Sequence, residues 1–176
     1  MTTFEIEPLL LKLMSSILLF RELEREDLVD LLRSASKAVF APGDIVFEEG
    51  FSGHSMYVVA QGEFEVLRSV GSNETHIANI FPGEHFGEIA LVTDRPRLAT
   101  VRAVKDSVAL RLTKTAVFAQ PKVAVLLLKN MAHLMADNLS SMNDEVMLLD
   151  MSRRRHAQLA PAKPLGGNAA SRRNGA

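Results

Sequence analysis

The chain has 176 residues, 47% apolar and 23% charged, which suits one folded domain with some extra length. A formal net charge of −1 provides no overall field for nucleic acid or membrane, and the absence of Cys removes disulfides, thiolate nucleophiles, iron–sulfur clusters and zinc–thiolate sites together. The charge is uneven along the chain: all 21 acids lie at or before Asp150, whereas Arg153, Arg154, Arg155, Lys163, Arg172 and Arg173 follow with no acid among them.

Residues 7–20 read as a helix with a broad apolar face. The apolar run is too short to span a bilayer, and Glu5 and Glu7 precede it where a signal peptide would be basic. Thr2 excludes myristoylation, so the expected location is the cytoplasm. A second helix is predicted over 24–35. Leu28, Leu31 and Leu32 fall at helical spacing, and Glu24, Glu26 and Asp27 sit where the helix dipole favours acids.

From Ala38 the period changes to two. Short apolar runs around Val39–Phe40, 45–47, 56–60, 64–66, 77–80, 99–103 and 108–112 are punctuated by Gly or Pro. About eight strands at this spacing indicate a mainly β fold with flanking helices: an eight-stranded antiparallel jelly roll or small barrel. At Pro121 the helical period returns. Leu128, Ala132, Met135, Leu139, Met142, Val146 and Leu149 alternate steps of four and three, a heptad seam suited to a second helix, as in a homodimer, or to the chain's own barrel. From Ser152 the composition turns to Ala, Pro, Gly, Ser, Asn and Arg, and a disordered basic tail is expected. The predicted organisation is a helical lead-in (1–36), a β-barrel (37–120), a long helix (121–151) and a tail (152–176).

The chemistry concentrates in residues 86–103, Phe-Gly-Glu-Ile-Ala-Leu-Val-Thr-Asp-Arg-Pro-Arg-Leu-Ala-Thr-Val-Arg-Ala. A short apolar helix would offer backbone N–H groups at its start to an anion. An Arg adds a planar, permanently charged donor fork, and a Glu can accept from sugar hydroxyls. The residue types therefore suit a phosphate-and-ribose site; a Glu88–Arg97 salt bridge on a surface turn is the competing arrangement.

This stretch resembles the phosphate-binding cassette of the cyclic-nucleotide-binding domain family. Phe86, Gly87, Glu88, Ile89, Ala90, Leu91, Pro96, Arg97, Ala99, Thr100 and Val101 match its order and spacing. The resemblance extends over Leu19-Phe20, 42–47, Gly50, Gly53, 56–59, 62–66 and 82–84, covering roughly residues 12–150. It implies that Arg97 pairs with the cyclic phosphate and that Glu88 accepts the ribose 2′-hydroxyl. Gly87, Ala90 and Leu98 would give backbone N–H groups or close approach, and Val66, Ile77 and Ile80 would wall the purine. Alignment of the last helix places Asn138 near the adenine amino group. Leu98 stands where the family usually has Ala, Ser or Thr. Without a hydroxyl there, cyclic AMP is expected over cyclic GMP.

The resemblance implies a stand-alone, non-enzymatic sensor that signals to a separate effector protein through helix rearrangement. The five His show no metal-ligand spacing, and no Ser sits in a nucleophile motif. His85 beside the cassette reads as a partly exposed turn residue rather than a base. Two alternatives use the same fold: a scaffold that has lost the ligand, and a transcription-related regulator binding DNA weakly through its tail. Sequence-specific DNA binding is not expected, because no element would read bases.

Overall fold

A computed structural model describes the backbone of residues 8–159 and the side chains of residues 8–151. Contacts divide the chain into two units, Met1–Leu134 and Met135–Ala176. In the first unit, helices α1 (Pro8–Ser15) and α2 (Arg25–Ser34) flank a 3₁₀ turn (Leu18–Phe20). Strands β1 (Ser36–Phe40), β2 (Ile45–Phe47), β3 (Ser55–Gln61), β4 (Phe64–Val70) and β5 (Asn73–Ile80) follow. Then come β6 (His85–Phe86), the one-turn helix α3 (Ile89–Val92), β7 (Thr100–Ala103), β8 (Ser107–Thr113) and the short α4 (Lys114–Phe118). The helix α5 runs Pro121–Leu159.

The eight strands form two four-stranded antiparallel sheets, ordered β1-β8-β3-β6 and β2-β7-β4-β5, the jelly-roll arrangement expected from the strand spacing. They enclose one core and share another. Between the sheets lie Tyr57, Val59, Phe64, Phe86, Val101 and their neighbours. On the other side of β3, Met56 and Val58 join Leu110 and Leu112 of β8 against Met14, Phe20, Leu31, Leu127 and Met131 of the helices. Successive side chains on a strand point to opposite faces. The continuous burial of 55–59 therefore means that helices cover one face of β3 and the second sheet covers the other.

The predicted helix over 7–20 is broken. The Ser15 and Ser16 hydroxyls donate to the Lys12 and Leu13 carbonyls, local bonds that compete with helix continuation, and the chain re-enters as the 3₁₀ turn. The second helix matches expectation. Glu24 and Asp27 form a reciprocal capping box, with the Glu24 N–H donating to Asp27 at 2.9 Å. Two elements absent from the sequence reading are β6, only two residues long, and α4, capped by the Thr113 hydroxyl.

In α5, Val123, Ala124, Leu127 and Met131 turn inward, while the predicted seam is exposed at Leu128 and Met135 and still more so at Leu139, Met142, Val146 and Leu149. The helix continues past Ser152 to Leu159 rather than dissolving there, and the rest of the expected tail lies outside the described residues. No described helix is long and apolar enough to cross a membrane.

The start of α5 is tied back to the N-terminal segment by polar groups. Asn130, 5% exposed, donates from its amide to the Leu19 and Arg21 carbonyls at 3.1 and 2.7 Å. Lys129 bonds Glu22, whose φ is +69°, and Lys122 bonds Glu24 and Asp27. Removing a buried donor strands its acceptors, so Asn130→Ala is expected to lower stability by about 1–3 kcal/mol in urea unfolding. The exposed Asn138→Ala should stay within about 0.5 kcal/mol; equal effects would refute the anchoring role.

Candidate functional site

The loop between α3 and β7 is fixed by backbone bonds to the β2–β3 connection. The Arg97 N–H donates to the Phe51 carbonyl at 2.8 Å, and the Gly50 N–H donates to the Arg97 carbonyl at 2.9 Å. This pairing drives the Arg97 side chain inward, where only 7% of the residue remains exposed. Its Nη1 donates to the Gly87 carbonyl at 3.0 Å and its Nη2 to the Ser55 carbonyl at 2.7 Å. The guanidinium carbon lies 3.9 Å from the centre of the Phe47 ring, a cation–π contact. Nε is buried with no hydrogen-bond partner. Both hydrogen bonds of the Arg97 side chain thus go from its Nη atoms to backbone oxygens, and the competing Glu88–Arg97 surface salt bridge is not formed.

Two glycines make room for this group. A Cβ on Gly53 would sit 2.6 Å from Nη2 and 2.7 Å from the guanidinium carbon. A Cβ on Gly87 would sit 2.6 Å from Nη1, and the residue's φ of +77° is the left-handed region that glycine enters freely. Burial, the largest influence, lowers the pKa of Arg97 from its ordinary value; Tyr57 and Glu88 oppose the shift and Arg111 adds to it. A guanidinium starts so high that it remains charged. The result is a buried cation that meets neutral carbonyl dipoles and keeps one buried nitrogen, Nε, without a partner.

Beside it opens a cavity of about 310 Å³. Phe47, Val66, Ile80, Phe86, Leu98 and Val101 supply much of its apolar wall, and Glu88, Arg95, Arg97 and His85 supply its charged or titratable groups. Gly87, Ile89, Ala90 and Ala99 complete the cassette side. Phe86 is locked in the inter-sheet core, stacked on Tyr57 with ring centres 5.2 Å apart. The helix expected to hold an anion at its start is a single turn, and the Ala90 N–H already makes a 3.3 Å bond to the Gly87 carbonyl. Arg97 is therefore the buried positive charge of the site, with Arg95 exposed at its edge.

Of the residues expected at the site, Phe86, Gly87, Glu88, Ile89, Ala90, Arg97, Leu98, Ala99, Val66 and Ile80 line one cavity. Leu98 lies at its rim, 55% exposed. Ile77 does not line it. The β4–β5 register steps from Val66–Ala78 to Leu67–His76, so Ile77 is the extra residue of a bulge and stands 54% exposed. Asn138 is exposed on the second unit, whereas Asn130 is the buried amide of α5. The sequence reading missed Phe47 and the Ser55 carbonyl. Phe47 looked like any strand aromatic, and a backbone oxygen leaves no mark in a sequence.

The cavity and its lone buried cation fit a ligand with an apolar ring system, a single negative charge and a hydroxyl. Comparison with known proteins agrees. The model of the cyclic nucleotide-binding domain matches residues 37–120. A cAMP-dependent protein kinase regulatory subunit from Blastocladiella emersonii is 37% identical over 81 residues, covering 46% of this chain and 19% of that protein. Among solved structures, the N-terminal domain of a transcriptional regulator from Streptomyces coelicolor is 30% identical with a TM-score of 0.65, over 74% of this chain and 94% of that one. The catabolite activator protein of Thermus thermophilus is 30% identical with a TM-score of 0.68, over 76% and 63%. The chain spans about a fifth of the length of the curated relatives it matches.

The Gly53 cradle gives a direct test. Gly53→Ala is expected to destabilise the protein by about 1–3 kcal/mol through overpacking. In an Arg97→Ala background that cost should fall close to zero; an undiminished cost would mean that the guanidinium is not what Gly53 accommodates.

Proposed function

This chain belongs to the cyclic nucleotide-binding domain family, and on that footing we propose that it binds cyclic AMP in the cavity beside Arg97 and acts as a regulatory sensor. The observation that carries this reading is the buried guanidinium whose Nε has no partner. An unmet buried donor costs about 1–3 kcal/mol. A monoanionic cyclic phosphate would remove that cost and neutralise the charge in one step. In this reading Arg97 holds the phosphate, Glu88 accepts the ribose 2′-hydroxyl, and Val66, Ile80 and Leu98 receive the purine. A 2′-hydroxyl is free when the phosphate bridges the 3′ and 5′ positions, so Glu88 favours that cyclic form.

Two points support cyclic AMP over cyclic GMP. The relative with the kinase name is cAMP-dependent by that name. Leu98 offers no hydroxyl to a guanine.

The output is a change in the disposition of α5, passed to a separate effector protein. The exposed apolar row through Met135, Leu139, Met142, Val146 and Leu149 supports self-pairing as the form in which the helix acts.

Isothermal titration tests the site. Cyclic AMP should bind, cyclic GMP should bind more weakly, and Arg97→Ala should lose more than about 30-fold in affinity with an unchanged far-UV spectrum. Unaltered affinity in that variant would overturn the assignment. For the row on α5, light scattering should give twice the chain mass, and Leu139→Lys with Met142→Lys should return the monomer. A monomeric wild type would remove the self-pairing reading.

A further inference from the structure

Ser55 holds two guanidinium groups at once. Its carbonyl accepts from Arg97 Nη2 at 2.7 Å, and its hydroxyl accepts from Arg111 Nε at 3.0 Å. The serine is 2% exposed, whereas Arg111 reaches solvent. Strand register explains the meeting. Tyr57 on β3 and Ala109 on β8 face the inter-sheet core. Ser55 and Arg111 follow the same alternation on those strands, and Arg111 is paired with Tyr57. Arg111 therefore stands on the same side of its sheet as Arg97.

No carboxylate compensates either cation. The other strand arginines, Arg68 and Arg102, each meet a glutamate. Among the described residues Arg97 and Arg111 form no ion pair. Two unopposed positive charges joined through one serine repel each other. Burial is the main cause that lowers the Arg97 pKa, and the charge of Arg111 adds to it. Arg111 is not among the residues lining the ligand cavity, so its charge reaches a ligand only across Ser55 and Arg97. An anion beside Arg97 would relieve the repulsion felt by both cations, whereas a neutral ligand would relieve neither.

We propose that Arg111 is a positioning residue for anion binding: tethered by the Ser55 hydroxyl behind Arg97, its charge raises the affinity of the cavity for a cyclic phosphate without touching the ligand. This rests on the nucleotide reading above. The like charge raises the energy of the free site, and the bound anion returns that energy as affinity. The hydroxyl tether sets where the charge stands. Because Arg111 is exposed, water and salt screen its field, so the contribution is modest and falls as ionic strength rises.

The test is calorimetric titration of the full chain with cyclic AMP at low and at high ionic strength. Arg111→Gln is expected to bind roughly three- to tenfold more weakly at low salt, with a smaller difference at high salt. Arg111→Lys keeps the charge and should stay near wild-type affinity. Ser55→Ala keeps the carbonyl that holds Arg97 and removes only the tether. It is expected to weaken binding in the same salt-dependent way, and it decides the matter if Arg111→Gln does not fold. A merely structural role would lower the unfolding midpoint of Arg111→Gln and leave the salt dependence of its affinity as in the wild type. That result, or a loss that Arg111→Lys shares in full, overturns the inference and leaves the nucleotide site standing. No binding of cyclic AMP to the wild type removes the nucleotide reading, and the inference with it.

Discussion

The structure turns on how one guanidinium is held inside a β-sandwich. Arg97 is buried without a carboxylate partner, and two backbone carbonyls, one aromatic face and two missing Cβ atoms make that tolerable. Carbonyl dipoles compensate a cation only in part. The residue therefore sits at a compromise: solvated well enough for the fold to persist, poorly enough that an anion improves its surroundings. The positions of Gly53, Gly87, Ser55 and Phe47 follow from that requirement, as does the backbone pairing of Arg97 with Gly50 and Phe51 that aims the side chain inward.

The two cores explain how the arrangement stays rigid. β3 contributes alternate residues to each, so the strand behind the ligand cavity is also the strand on which the helices rest. Phe86 closes the inter-sheet core and immediately precedes Gly87 and Glu88. The cassette thus leaves a fully packed residue and turns at once into the cavity. A binding loop anchored this directly to a core has little freedom to adopt alternative positions.

Much of this was legible in the sequence because the relevant signals are local. Alternation with Gly and Pro punctuation marked the strands, and the Leu28, Leu31 and Leu32 spacing behind the acids Glu24, Glu26 and Asp27 marked α2. The order of residues from Phe86 to Val101 marked the cavity's cassette side. The differences between expectation and structure have physical causes. Ile77 was placed on the purine wall by the resemblance, but a bulge between Val66 and Leu67 makes it the extra residue of its strand, and a bulge depends on the partner strand. Asn138 was placed by alignment along a uniform helix, while the buried amide, Asn130, is chosen by carbonyls more than a hundred residues away. The break after Ser15 depends on two hydroxyls bonding back to their own helix, a choice that helical periodicity does not register.

The tie between α5 and the N-terminal segment bears on how the molecule is made. The helical core draws on Leu11 to Leu32 and again on Val117 to Met131, with every strand of both sheets lying between them in the chain. Closing so long a loop must precede any reward from those contacts. During synthesis the first helices emerge with Leu19, Phe20, Leu28 and Leu31 uncovered; β3 and β8 bring part of their cover, and the last of it arrives with the first turns of α5. The nascent chain thus carries an incompletely covered apolar flank, a liability toward aggregation, until Leu127, Asn130 and Met131 have left the ribosome.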